Sequence, residues 1–389
     1  MASLLLTANA AAATDDPGGF RGFRWSDPAS GFELRSTGRA MVDYRHFDHD
    51  EVADTFTFRR VRFGFATTLF EDFALRVEID ATGDATLADG YVDYHHSDGV
   101  QLRAGQFKVP FSLDELTSSL FFDLQERSLL TNLAHNRDRG VMVYGRPRPW
   151  LTYALGVFNG AGVNVNDTEP TDEGKDVAAR LTANLASPLG LGDAVLHLGV
   201  AATAGDQPAG APESGTTAAR GIPFFAPDDT TASFDRRRLG LELAAARGPV
   251  KVQAEWARES LDGDDMDTDI DAAYVALSWW VTGESFAAAY TPDGFGRIHP
   301  GRPYSRRDGG IGAVAVSARL SHFDAAGFPT VSGQSRKATE ASVGAVWVLH
   351  PNVRLVTTYF RTEFDEPVTA GDGTIDHENA VAARVQIDI

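Results

Sequence analysis

Cysteine is absent from the 389-residue chain, which excludes a disulfide framework, a thiolate zinc site and a cysteine nucleophile. Long uncharged apolar runs are also missing, and no window approaches the roughly 18 residues that a membrane-spanning helix needs. A helical membrane protein is therefore disfavoured. Basic residues are outnumbered by acidic ones, 35 against 54, which gives a formal net charge of -19. A nucleic-acid binder needs a basic surface, so we expect no nucleic-acid partner.

Signals of catalysis and of metal binding are weak. The stretch "HNRDRG" (135–140) has no partnered nucleophile and no suitably spaced second histidine. The acidic stretch "DGDDMDTDID" (262–271) lacks the glycine and the final glutamate of a calcium-binding loop. We therefore expect no catalytic residue, no metal and no cofactor, and we interpret such acidic runs, including the one at 363–366, as solvated loops.

The N-terminal stretch "MASLLLTANAAAATDD" has a short apolar core followed by small residues, but no basic segment precedes it. This pattern is typical of the remnant of a secretory signal peptide. We assign residues 1–13 to that remnant, 14–31 to an N-terminal lead-in, and 32–389 to one β-domain.

Alternation of apolar and polar residues dominates the rest of the chain and predicts β-strands. Val381, Ala383, Val385 and Ile387, for example, alternate with polar or small residues. The predicted strands are sixteen in number and span residues 33–44, 55–69, 73–81, 87–96, 99–107, 139–145, 150–158, 176–186, 194–203, 234–246, 249–259, 270–281, 311–322, 339–349, 352–364 and 378–389.

The predicted connections alternate between tight turns, such as "FEDF" and "HPN", and longer loops. Transmembrane β-barrels have this layout, with short turns at one end and long loops at the other. The connection at 282–310 is an exception, because it is long but falls at the tight-turn end. A soluble β-sandwich is the competing interpretation, since alternation alone does not tell whether the apolar face meets a core or lipid. Aromatic residues at strand ends favour the barrel.

The stretch "GQFKVPFSLDELTSS" (105–119), followed by "ERSLL", resembles the signature region of the phosphate-selective porin O and P family. "FTFRRVRFGF" (56–65) and "LADGYVDY" (87–94) are similar to segments of the same family in the same order. The resemblance implies a sixteen-stranded antiparallel outer-membrane barrel, commonly a homotrimer, that conducts small solutes by passive diffusion. It also implies that the third external loop, here 108–138, folds into the lumen as the constriction.

If the apolar face meets lipid, the opposite face lines the pore. Arginines are frequent on that face, so the wall is basic although the chain is acidic. Guanidinium groups offer forked donors that suit phosphate and carboxylate oxygens, which favours anions. The predicted pore-lining cations include Arg60, Arg62, Arg76, Arg103, Arg180, Lys251, Arg319, Arg354 and Arg384.

The resemblance further implies an anion site within the pore. Its matching positions are Arg59, Arg60, Asp89, Ser118, Ser119 and Arg127. Strict alternation, however, points Arg59 away from Arg60. Glu115 stands where the family places a lysine, and a carboxylate at the constriction would oppose anions.

Arg62 stands where an uncharged aromatic is expected, and a possible external funnel is confined mainly to Arg236, Arg237 and Arg238. The prediction is thus an outer-membrane porin that favours anions such as phosphate or polyphosphate, with membrane lipid and lipopolysaccharide as its surroundings. A general, weakly selective porin and a non-conducting structural or adhesive β-protein, either in the outer membrane or secreted, remain as alternatives.

Overall fold

A computed structural model gives the structure of most of the chain. The predicted signal-peptide remnant at 1–13 lies outside the described residues. No helix in the described part of the chain is long and apolar enough to cross a membrane. The structure describes residues 22–27, 29–134, 136–164, 174–210, 212–264 and 266–389.

The described residues include sixteen strands that form one closed antiparallel sheet, as the sequence predicts. They are β1 (Phe32–Phe47), β2 (Thr55–Leu69), β3 (Phe73–Asp80), β4 (Thr86–Ser97), β5 (Val100–Lys108), β6 (Arg137–Arg148), β7 (Leu151–Phe158), β8 (Asp176–Asn184), β9 (Ala194–Gln207), β10 (Phe234–Arg247), β11 (Val250–Gly263), β12 (Met266–Trp280), β13 (Ala313–Asp324), β14 (Lys337–His350), β15 (Val353–Ala370) and β16 (Gly373–Asp388).

The barrel closes where β1 pairs with β16, in a register that joins Arg39 to Asp388. Every other strand pairs with its neighbours in sequence. The lead-in contributes a further short strand, Arg24–Asp27, which pairs with the first residues of β1. This short strand continues the edge of β1 beyond the end of β16, so the first described strand and the last strand both pair with β1.

The apolar face of the strands points outward. On β16, Val385 is 49% exposed, whereas the intervening Arg384 is 3% exposed. The same pattern recurs around the sheet: Leu and Val side chains on the outside are exposed, and polar side chains on the inside are buried. A sandwich would bury its apolar face, so the sandwich alternative is wrong, and the outer surface suits lipid.

The strands extend further at the long-loop end than the sequence predicts. The acidic stretches 262–271 and 363–366 were expected to be loops, but most of the first and all of the second lie in β11, β12 and β15. Cross-strand pairs stabilise this extension. Arg258 bonds Asp271 at 2.8 Å, and Ser260 bonds Asp269 at 2.6 Å. These pairs join neighbouring strands across 13 and 9 positions of sequence, so the pattern within one strand does not show them.

Three long connections fold inward in the part of the chain that the structure describes. The third loop, L3 (residues 109–136), joins β5 to β6 and contains a short helix, α1 (Leu113–Leu116). The fifth loop, L5 (residues 208–233), holds a two-stranded hairpin at the same end of the barrel. The sixth short-end connection, T6 (residues 281–312), holds another hairpin, in which Tyr290 pairs with Phe295.

Candidate functional site

L3 crosses the lumen and is fastened to the inward side of the barrel. The backbone amides of Leu113 and Asp114, at the start of α1, donate to the Glu255 carboxylate on β11 at 2.8 and 2.7 Å. The first amides of a helix have no partner within the helix, so this carboxylate satisfies them. The helix is therefore held against β11.

Three wall arginines donate to backbone carbonyls of L3. Arg354 on β15 donates to the carbonyls of Leu120 and of Phe122, the latter at 3.0 Å. Arg384 on β16 donates to the Gln125 carbonyl at 2.8 Å. Arg319 on β13 donates to the Glu126 carbonyl, also at 2.8 Å. The donors of Arg319 and Arg354, both predicted to meet solute, are thus directed at the loop.

The side chain of Glu126 is the main ionic anchor of L3. Its carboxylate lies 2.9 Å from Arg45, 2.7 Å from Arg59 and 2.8 Å from Arg384. Burial alone would raise the pKa of Glu126, but the guanidinium groups of Arg59 and Arg384 outweigh burial and hold the pKa well below its usual range. Glu126 is therefore ionised at neutral pH and binds β1, β2 and β16 together.

Arg59 faces the lumen, contrary to the expectation from strict alternation. The register between β1 and β2 shifts between Met41, which opposes Arg60, and Val42, which opposes Phe58. One extra residue of β2 is accommodated there as a β-bulge, which reverses the side-chain parity of the strand. Arg59 and Arg60 consequently both point inward, as the family resemblance implies.

The inward side chains of β1 to β4 face the part of L3 around Ser119 and define what we call the passage. Arg39 on β1 donates to Glu78 at 2.9 Å and lies 3.4 Å from the Ser119 hydroxyl. Arg62 bonds Asp80 at 2.7 Å. Arg60 forms no ion pair within 4.0 Å among the described residues, although it is only 6% exposed.

Asp89 and the two serines complete the passage. The Asp89 carboxylate accepts from Arg137 at 2.8 Å and lies 3.7 Å from Arg76. The Ser118 hydroxyl accepts from the Leu120 amide at 3.4 Å and begins a 3-10 turn. Cations exceed carboxylates here: Arg39, Arg62, Arg76 and Arg137 share Glu78, Asp80 and Asp89, and Arg60 has no ionic partner among the described residues.

Glu115 does not line the passage, so the expectation that it opposes anions there is not supported. The side chain is 3% exposed, and its carboxylate lies 3.2 Å from Arg127 and 3.7 Å from Lys108. Arg127 also donates to the carbonyls of Asp114 at 2.9 Å and of Thr117 at 3.1 Å. Arg127 therefore braces α1, and two cations offset the charge of Glu115.

Arg103 is committed to a structural pair. Its guanidinium bonds both oxygens of Asp93, at 2.7 and 2.9 Å, and lies 3.9 Å from the centre of the Tyr91 ring. A bidentate pair stacked on an aromatic ring leaves few donors for a solute.

The predicted funnel arginines belong to β10 and not to an external loop. Arg236 lies 3.2 Å from both Asp176 and Glu213. Arg238 lies 2.5 Å from Glu213, and Arg237 points outward and pairs with Asp235 at 2.7 Å. Alternation along β10 separates Arg237 from its neighbours, and each of the three arginines has a carboxylate partner, which is supplied by Asp176, Glu213 or Asp235.

T6 enters the lumen from the short-turn end, which accounts for the long connection predicted at 282–310. Arg180 on β8 bonds Asp293 at 2.9 Å. Lys251 on β11 lies 2.5 Å from Asp123 of L3 and 4.3 Å from the centre of the Phe295 ring of T6. T6 therefore supports L3 from below.

L5 enters from the opposite end. Arg45 donates to the Ala219 carbonyl at 3.0 Å, and the Ile222 amide donates to Glu378 at 2.9 Å. Arg220, at the tip, has a backbone φ of 62° and forms no ion pair with the described residues. The nearby Arg59 and, to a lesser degree, burial lower the pKa of Arg220.

Several residues of the site were missed from sequence. Lys108 and Arg137 were not singled out, because the predicted strands ended at 107 and began at 139 and left both residues in the constriction loop. In the structure both residues belong to strands. Arg39 was missed among the alternating residues of β1. It lies four positions before Asp43, so the two charged residues share one face of the strand, and this shared face was a signal in the sequence. Glu126 stands in the quoted "ERSLL", but its anchoring role had no local signal, since its partners are up to 258 positions away in sequence.

A closed sixteen-stranded sheet with an apolar exterior, a charged lumen and a loop across that lumen defines an outer-membrane porin. The chain belongs to the family described as "Phosphate-selective porin O and P", whose family model matches residues 34–389. The resemblance stated from the sequence is thereby confirmed, as is a location in the bacterial outer membrane. Family and fold point to a channel and not to an enzyme.

Known proteins support this assignment. The chain is 25% identical to Porin O of Pseudomonas aeruginosa over 90% of this chain and 87% of that protein. It is similar in fold to an anion-selective porin from Comamonas acidovorans, with 13% identity and a TM-score of 0.58 over 92% of this chain and 100% of the other. The trimer form of OmpT of Vibrio cholerae has 12% identity and a TM-score of 0.56 over 92% of this chain and 99% of the other.

Proposed function

We propose that the protein is a homotrimeric porin that favours anions, with phosphate-like oxyanions as its preferred solutes. Arg60 is the observation that carries this proposal. It lies between Arg59 and Arg62 with no carboxylate within 4.0 Å among the described residues. An uncompensated cation in a narrow, partly desolvated passage attracts anions more strongly than it would in bulk water.

The mechanism is passive diffusion, with protein donors replacing part of the hydration shell of the anion. Arg60 and Arg62 supply forked N–H donors, Arg59 adds positive potential, and the hydroxyls of Ser118 and Ser119 offer neutral donors on the facing loop. Asp89 positions Arg137. Its negative charge also weakens the attraction of the passage for anions, so that a bound solute can leave.

Other predicted site residues act on the loop and not on the solute. Arg127, Arg319 and Arg354 hold backbone carbonyls of L3, so we assign them positioning roles. Glu115 is the buried counter-charge of Lys108 and Arg127. The selectivity of the passage then depends on how firmly L3 is held as well as on its own charges.

Relatives support the substrate class and the assembly. The family description names phosphate selectivity, and the Comamonas acidovorans relative is described as anion-selective. The Vibrio cholerae relative is described in a trimer form, which supports a homotrimer here. Outer-membrane lipid and lipopolysaccharide then surround the remaining exposed apolar faces of the barrel.

Reversal potentials in a planar bilayer under a KCl gradient test the proposal. We expect a potential of the sign that chloride permeation produces, and we expect added phosphate to block the chloride current. A cation-selective potential would refute the anion preference. Chloride current that is insensitive to phosphate would support a general porin, and the absence of current would support the non-conducting alternative.

A further inference from the structure

The second half of T6 leaves the lumen and folds over the rim onto the outer surface of the barrel. The Tyr304 amide donates to the Leu349 carbonyl at 2.8 Å. The indole of Trp347, on the outward face of β14, donates to the Ile311 carbonyl at 2.7 Å. Tyr304 and Trp347 pack edge to face, with ring centres 5.7 Å apart. Residues 301–312 therefore lie at the lipid-facing rim of the short-turn end.

This position is at the level of the phospholipid headgroups. Short turns mark the periplasmic end of an outer-membrane barrel. Tyrosine and tryptophan concentrate at the membrane–water interface, where an apolar ring and a polar tip are both satisfied. Tyr304 is 47% exposed and Ile311 is 61% exposed, so both present apolar surface next to the rim.

The tip of this segment is a closed, ordered turn. Ser305 donates its amide to the Gly310 carbonyl at 2.9 Å, and its hydroxyl bonds Asp308 at 2.8 Å. Arg302 donates to the Asp308 carbonyl at 2.6 Å. These contacts fix the backbone on either side of Arg306 and Arg307.

Arg306 and Arg307 are exposed and form no ion pair or side-chain hydrogen bond with the described residues. This contrasts with the arginines of the lumen, nearly all of which are partnered. Two adjacent guanidinium groups provide forked donors that match the oxygens of a phosphodiester. The Asp308 carboxylate accepts from the Ser305 hydroxyl and forms no ion pair with either arginine. The arginines of the turn, Arg302, Arg306 and Arg307, outnumber this one carboxylate.

From these contacts we infer that the turn 302–311 binds the phosphate of an anionic phospholipid headgroup in the periplasmic leaflet. Arg306 and Arg307 bind the phosphate, while Tyr304 and Trp347 hold the turn at the interface. This site is separate from the passage and does not rest on its selectivity. It assigns a lipid partner to a part of T6 that solute permeation does not use.

Native mass spectrometry of the full-length trimer with added phosphatidylglycerol tests the site. We expect the variant R306Q/R307Q to bind this lipid about twenty-five-fold more weakly, since each arginine near an anionic surface contributes about fivefold. The matched control is R146Q/R148Q, which removes the same charge from another exposed stretch at the same end. We expect the control to bind as the unaltered protein does.

Three results would overturn the proposal. These are unchanged lipid binding by R306Q/R307Q, an equal loss in the control variant, and displacement of the lipid by excess inorganic phosphate, which would indicate a site for soluble anions. Heat-modifiable gel mobility confirms that each variant is folded. Single-channel conductance should stay unchanged in both variants, because neither pair of arginines lies in the passage.

Discussion

The two sides of the lumen use arginine in opposite ways. Along β13 to β16, Arg319, Arg354 and Arg384 donate hydrogen bonds to backbone carbonyls of L3. Along β1 to β3, cations outnumber carboxylates, and Arg60 has no ionic partner among the described residues. Both sets share the same residue type and the same inward parity. Their partners therefore decide whether a guanidinium positions the loop or meets a solute.

The largest expected effect is on the loop anchor. Glu126→Gln leaves the buried guanidinium groups of Arg45, Arg59 and Arg384 without their shared carboxylate. We expect the free energy of unfolding to fall by about 3–5 kcal/mol, measured by urea unfolding in lipid vesicles. Glu363→Gln is the matched control, because Glu363 is exposed and pairs only with Arg361. An equal loss in both variants would contradict the anchoring role.

The same variant also tests the pH dependence. The folded pKa of Glu126 is depressed, so its stabilisation is complete above the ordinary glutamate pKa of about 4.3 and is lost as the pH falls through the lower, folded pKa. Between pH 7 and pH 5 we expect no change in stability from this group. Below about pH 4 the unaltered protein should lose stability, and Glu126→Gln should lose less. Parallel pH profiles would contradict this assignment.

A matched pair of arginine variants tests the comparison directly. Arg354→Gln removes charge-assisted bonds to two loop carbonyls, and we expect a loss of about 1.5–3 kcal/mol in stability. Arg60→Gln removes no ion pair, so stability should hold, while the anion-to-cation permeability ratio should fall about fivefold. Bilayer reversal potentials and urea unfolding separate the two outcomes. Loss of stability in Arg60→Gln without a change in selectivity would reverse the assignment.

A glycine variant tests the support that T6 gives to L3. Gly294 has a φ of 136°, and a Cβ there would lie 2.2 Å from the Thr117 hydroxyl. We expect Gly294→Ala to cost about 1–3 kcal/mol in stability and to alter single-channel conductance by shifting α1. Gly301→Ala is the control, since a Cβ at that position meets nothing within 4 Å. Unchanged conductance in Gly294→Ala would show that T6 does not position the loop.

The smallest effect is expected outside the lumen. Arg237 points outward, is 61% exposed along its side chain, and pairs with Asp235. We expect Arg237→Gln to change stability by less than about 0.5 kcal/mol and to leave conductance unchanged. A marked fall in anion conductance would restore the funnel role that the sequence suggested for this residue.

Most of the fold could be predicted from the sequence, but much less of the site could. Alternation has a period of two residues and is visible within each strand, so the number of strands and the long third loop were accessible. The direction of Arg59 was not, because a β-bulge reverses the parity. The burial of Glu115 was not either, because its neutralising partner Arg127 lies across a folded loop.

The sequence by itself determined sixteen strands with one apolar face and alternating short and long connections, because strand pattern and turn length are local properties of the chain. The tertiary structure alone decided that the apolar face points outward, which cations hold L3, that Arg60 has no ionic partner among the described residues, and where T6 goes. Ion pairs join residues that are distant in sequence, as Arg384 is from Glu126. The stretch from Gly105 to Ser119 therefore indicated where the constriction is, and only the fold showed what holds it there.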